Sequence, residues 1–221
     1  DSMSKELEQP KNGQHRRLHI ATAVVALLIF AFGIFFLFWG NLEAPTLAVE
    51  EKIAVETVEP VGPYLNEATP LSIKIPKVGI DARFETPLGV APSGEIEVPQ
   101  NYDSVAYYMH GPTPGEIGPS VVLGHVDSEE GPAVFFSLGQ LSIGDTIDID
   151  RNDGTVATFA VSKMERHEQE GFPTVEVYGD IPYAGLRLIT CTGIYDRESL
   201  RYTHNLIVFA ELISTSTMVG G

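Results

Sequence analysis

The chain has 221 residues, 43 % of them hydrophobic, and carries 30 acidic against 14 basic side chains, a formal net charge of −16. So acidic a surface repels phosphate backbones and argues against a nucleic-acid partner. A single cysteine excludes an internal disulfide framework and the cysteine-rich zinc sites.

Residues 1–19 are polar, read as a disordered tail, and end in the basic run His15-Arg16-Arg17. Ile20 to Trp39 then runs for twenty residues without a charge. At about 1.5 Å per residue, a helix of that length crosses the roughly 30 Å hydrocarbon layer. Phe35, Phe36, Phe38 and Trp39 crowd its far end, where aromatic rings favour the interface. The stretch is longer than a signal-peptide core and no Ala-x-Ala site follows it. The expectation is a signal anchor over 20–39. The basic flank stays inside and the C-terminal bulk lies outside, where its 10 basic and 27 acidic residues leave about −17. Residues 40–70, rich in Pro and Glu, read as an extracellular stalk, parts of which pack on the domain, with Tyr64-Leu65 as the candidate for docking.

From Leu71 the pattern becomes that of a domain, taken as 71–221. Leu71 to Ile75 and Ile80 to Phe84 alternate apolar and polar, as half-buried strands do. Glu95 to Val98, Val105 to Met109, Ser120 to Leu123, Thr146 to Asp150, Thr155 to Met164, Leu186 to Cys191 and Asn205 to Leu212 are further strand candidates. Val134, Phe135 and Leu138 have helical spacing and place one short helix in Gly131 to Gln140. Short strands separated by Gly, Pro and Asp turns predict an all-β, closed or nearly closed barrel.

The chemistry centres on Cys191, which ends the apolar run Leu186 to Thr190 and precedes the turn signal Thr192-Gly193. A lone thiol at the end of a strand is a candidate nucleophile that needs a base and a charge stabiliser. Of six histidines, His15 and His19 flank the apolar span, and His110, His167 and His204 lie in polar surroundings. His125 follows the buried run Val121 to Gly124, so it too stands at a strand mouth. A rim histidine bonded to a backbone carbonyl is the plain alternative, and the nearby strand-end thiol outweighs it. The stabiliser for a developing oxyanion would be Arg201 or Arg197, which follow Cys191, or Arg187, which shares its strand face by alternation. A metal site from His125, Asp127 and His110 matches no strong zinc spacing. Asp148, Asp150 and Asp153 lack the Gly and Glu of a calcium loop. No metal or organic cofactor is expected.

These residues resemble the sortases, cysteine transpeptidases of Gram-positive cell surfaces. Leu188 to Cys191 matches the family's Thr-Leu-x-Thr-Cys signature, and Gly124 to Asp127 matches the segment that carries its histidine. Together with Gly131 to Phe135 and Tyr202 to Ala210, they are most similar to the class F branch of actinobacteria over roughly residues 70–213. The resemblance implies a closed eight-stranded β-barrel with one or two short helices. It implies Cys191 as nucleophile, His125 as acid and base, and an arginine as stabiliser. That arginine often opens the last strand, where this chain has His204 and Asn205, so the role passes to Arg201, with Arg197 second. Cys191-Thr192-Gly193 also departs from the Cys-Gly-Gly common in class F. The implied reaction cleaves a Leu-Pro-x-Thr-Gly sorting signal of a surface protein between Thr and Gly. A thioester forms on Cys191, and a peptidoglycan-precursor or pilin amine takes the acyl group. The upstream anchor suits this family. Two rivals are an L,D-transpeptidase, whose Ser-x-Gly-Cys-x-Arg pattern is absent, and a non-catalytic tethered β-domain that binds cell-wall polymer or a partner protein.

Overall fold

The computed structural model describes residues 59–92 and 94–218. The expected tail, membrane anchor and most of the expected stalk lie outside the described residues. Among the described residues, no helix is long and apolar enough to cross a membrane.

One eight-stranded sheet dominates. In chain order its strands are β1 (Pro70–Ile75), β2 (Ile80–Arg83), β3 (Ala106–Tyr107), β4 (Gly118–Leu123), β7 (Thr146–Arg151), β8 (Thr155–Glu168), β9 (Ala184–Asp196) and β10 (Arg201–Thr217). They lie side by side as β2-β1-β7-β8-β10-β9-β4-β3. The small strands β5 (Asp127–Ser128) and β6 (Gly131–Pro132) pair with each other. All ladders are antiparallel except β4 with β9, which run parallel in the middle of the site-bearing half.

The all-β expectation holds, but the sheet is not the closed barrel expected. Its edges β2 and β3 share no ladder. The residues after β2 pair with those around β3 only through the isolated bridges Phe84 with Val105 and Leu88 with Tyr108, helped by the Ser104 hydroxyl, which donates to Glu85 at 2.9 Å. β3 is two residues long, too short to sustain a ladder, so the curled sheet is stitched rather than sealed.

Burial explains which strands were legible. Ile73, Ile75, Ile147, Ile149, Phe159, Leu186, Leu188, Leu206 and Val208 form the inner core. β1 and β7 bury only that face and therefore alternate. On β4, β9 and β10 the outer face is covered as well: Val121, Ile189, Ile207 and Phe209 pack under Val177 of α1 (Thr174–Tyr178). Such strands read as continuous apolar runs. The expected helix at Gly131 to Gln140 is instead β6 followed by a single 3₁₀ turn, Leu138–Gln140. Phe135 and Leu138 are both fully buried, and this shared burial imitates helical spacing.

Residues 61–69, assigned to the stalk by composition, lie along the domain. Val61 N–H donates to Pro182 O at 2.7 Å and Leu65 N–H to Gly115 O at 2.8 Å. Leu65 packs against the inner core, while Tyr64 stays 53 % exposed. The fully buried Arg151 clasps this strap through a hydrogen bond to Asn66 O.

Candidate active site

Cys191 does not end its strand. β9 continues five residues further to Asp196 and turns through Arg197 to Leu200 into β10. The burial pattern changes at the thiol, however: Ala184 to Thr190 are buried, Cys191 is half-buried, and Gly193 to Asp196 are exposed. Cys191 therefore stands where a packed sheet becomes a projecting hairpin. Thr192-Gly193 forms part of a register shift, not a turn. Gly193 has φ +89°, and a Cβ there would lie 2.5 Å from Thr203 Oγ1, so glycine is required by both backbone and space.

His125 comes to the same place by the parallel ladder. Its last pair is Leu123 with Ile189, and Gly124 N–H donates to Ile189 O at 3.2 Å. Cys191 on β9 and His125, just past the end of β4, each lie two residues beyond that pair. A Cβ on Gly124 would fall 2.6 Å from the Phe135 ring, so only glycine lets the chain pass into the histidine segment. Phe135 N–H donates to His125 O at 2.9 Å, and Ala133 N–H to Val126 O at 3.1 Å, which fixes the segment as a narrow hairpin.

The imidazole is oriented from outside the hairpin. Its Nε2 lies 2.7 Å from Pro99 O, and the Tyr102 ring stacks at 4.6 Å, tilted by 47°. A carbonyl only accepts, so Nε2 bears a hydrogen, and in the neutral tautomer this leaves the lone pair on Nδ1. This is the carbonyl bond of the plain alternative, and it is made through Nε2.

Sequence reasoning missed two neighbours of the thiol. Asn205 is its cross-strand partner and shares its face. Tyr202 hydrogen-bonds Asp127, tying the projecting hairpin to the histidine segment across 75 residues. That bond, with burial and the nearby charges of Asp127, Cys191 and Tyr195, pushes the Tyr202 hydroxyl up to about 12. No local pattern signals a pair so far apart in sequence. His204, by contrast, pairs with Thr192 and so points to the face opposite Cys191.

Burial first, and then the Asp127 carboxylate, hold the Cys191 thiol above its ordinary value. Both causes penalise the thiolate, so the folded chain keeps the proton more firmly than the unfolded one. This stabilising contribution is present at neutral pH and is lost as pH rises through the folded value. Alkylation of Cys191 by iodoacetamide should accordingly be slow at pH 7 and accelerate into the alkaline range. Asp127→Asn should move that rise to lower pH. An unmoved or higher midpoint would show that Asp127 does not act on the thiol.

The three candidate arginines are separated. Arg201 opens β10 and is held by Glu95, with Nη1 to Oε1 at 3.1 Å and Nη2 to Oε2 at 3.3 Å, in an exposed ion pair. Arg197 lies in the exposed turn. Arg187 is buried on β9 against Phe209, four residues before the thiol. The metal alternatives are committed elsewhere. His110 packs on Tyr108 at 5.4 Å. Asp148, Asp150 and Asp153 accept from Thr158, from Ser72 and Lys74, and from Thr155 respectively. Among the described residues, no three His, Cys, Asp or Glu groups gather as a metal site.

The described residues thus form a curled all-β sheet in which the parallel β4–β9 register carries a free thiol and a histidine to the same end of two neighbouring strands. The sortase domain family matches residues 73–213, and the chain belongs to that family. Solved structures agree on the fold. Sortase A of Listeria monocytogenes is 17 % identical, with a TM-score of 0.51 over 70 % of this chain and 92 % of that one. Sortase C-1 of Actinomyces oris is 19 % identical, with a TM-score of 0.51 over 68 % and 74 %. Sortase C1 of Streptococcus suis is 20 % identical, with a TM-score of 0.50 over 67 % and 74 %. No curated protein matches the chain.

Proposed function

We propose that this sortase cleaves a Leu-Pro-x-Thr-Gly-type sorting signal between Thr and Gly and passes the acyl group to a cell-wall or pilin amine. The observation that carries the reading is the parallel β4–β9 register, which advances His125 and Cys191 by equal steps to the edge of the packed sheet. In this reading Cys191 gives its proton to His125 Nδ1, and its sulfur attacks the Thr carbonyl carbon. His125 returns the proton to the departing Gly amine, which leaves a thioester. An acceptor amine then attacks the thioester and loses a proton to His125, and the Cys191 sulfur departs and is reprotonated. Arg201 exchanges Glu95 for the substrate and bonds either the developing oxyanion or the peptide backbone. The Asn205 amide, opposite the thiol, is available to the same peptide.

The class F branch is the nearest reading of the motifs. The domain 71–221 would then stand outside the cell, on a stalk that begins near residue 40, with residues 20–39 in the membrane and 1–19 in the cytoplasm. Mass spectrometry of the protein incubated with a Leu-Pro-x-Thr-Gly peptide should find the acyl fragment on Cys191. Added amine should convert it to the amide product. Absence of the adduct at any pH where the thiol is alkylated would reject the signal.

A further inference from the structure

Arg187 is a buried charge with no direct ion pair, favoured only at longer range by the carboxylates of Glu211 and Glu176. It is 3 % exposed, and its Nε has no hydrogen-bond partner. Nη1 donates to Leu186 O at 3.1 Å, the guanidinium lies 4.7 Å from the Phe209 ring, and Tyr183 is close enough to favour the charge. None of the ion pairs among the described residues includes it. Burial lowers its proton affinity, yet a guanidinium stays charged at any physiological pH. A buried charge is costly unless it is paired.

The space beside it is open. A cavity of ≈ 530 Å³ is lined by Arg187, Lys163, Phe209, Tyr183, Ile181 and Val175. Lys163 approaches the same Phe209 ring at 4.2 Å but is already paired with Glu165 and Glu176. Asp180 and Glu211 also line the cavity and are exposed. These exposed carboxylates, with Glu176 on the same rim, disfavour a free dianion such as phosphate. A single carboxylate carried on a polypeptide, with other contacts to hold it, can pass them and meet the guanidinium in a planar two-point contact.

The position adds a direction. Residues 187, 189 and 191 share one face of β9, so Arg187 and Cys191 are about 13 Å apart along it; Ile189 between them is covered by Val177 of α1, so a polypeptide that reaches both passes around that helix and not along the strand. We infer that this cleft takes an acidic side chain of the polypeptide presented to Cys191, outside the residues around the cleaved bond. The inference rests on the transpeptidase reading of Cys191.

The test uses peptide pairs with Glu or Gln placed three to six residues to either side of the cleaved bond. At one position the Glu peptide should exceed its Gln partner about tenfold in kcat/KM, through KM. Arg187→Met should erase that preference and leave the Gln peptide unchanged, while Arg187→Lys should keep part of it. A missing preference, or one that survives Arg187→Met, overturns the inference. In Cys191→Ala protein, where no chemistry intervenes, the Glu peptide and not the Gln peptide should shift the Arg187 Nε–H resonance. This arm stands even if Arg187→Met fails to fold. Acetate alone producing the whole shift at the same concentration would make a free small carboxylate the ligand and overturn the substrate role, and no shift with either overturns the site. Failure of every peptide to acylate Cys191, with the Glu-specific shift intact, would strike the signal reading and spare the cleft.

Discussion

Cys191→Ala should abolish both the acyl adduct and amide formation, with product below detection at enzyme concentrations where the native protein completes the reaction. No other side chain of the chain is a thiol. The neighbouring hydroxyls of Thr190 and Thr192 are far weaker nucleophiles at neutral pH. The fold should tolerate the change. The cysteine is free and half-buried, it crosslinks nothing, and its strand is held by backbone ladders to β10 and β4 that the substitution leaves intact. Loss of one sulfur from a half-buried site costs about 1 kcal/mol or less. Urea denaturation should therefore give nearly the native midpoint while mass spectrometry finds no adduct. Adduct formation in the variant would place the nucleophile elsewhere. Loss of the cooperative transition would mean that the inactivity reports unfolding.

Much of this arrangement was legible, and the misses have physical causes. Leu71 to Ile75 announced a strand because one face meets water, and Leu186 to Thr190 because both faces are covered. Thr192-Gly193 looked like a stop, since glycine with positive φ serves turns and bulges alike. Only the partner strand decides between them, and here Thr203 and His204 make it a register shift. The five-residue helix α1 is too short for any periodicity to emerge, and it lies over an apolar cluster assembled from β4, β9 and β10. His125 was found because a buried run led into it. Tyr202–Asp127 and Arg201–Glu95 were not, because they join residues 75 and 106 positions apart, and side-chain pairing at such range leaves no local pattern.

Arg201→Ala should reduce acylation on the order of 10²–10³-fold, the usual loss for a donor aimed at a developing oxyanion. Arg197→Ala should leave the rate near native. Both guanidiniums follow Cys191 and both are exposed, but only Arg201 is aligned by a partner. Its two nitrogens already match a carboxylate at 3.1 and 3.3 Å, the planar fork that a peptide carbonyl or oxyanion would meet. The ion pair itself is a surface one and contributes little to stability, so a lost rate cannot be ascribed to a weakened fold. Glu95 holds the guanidinium beside the hairpin, and the substrate must compete with it. Glu95→Gln should therefore keep acylation and lower KM, whereas Arg201→Ala loses kcat. Equal and small losses in the two arginine variants would remove both from the role. That result would leave the Asn205 amide, on the face of the thiol, and the nearby Tyr202 hydroxyl as the polar groups open to charge stabilisation.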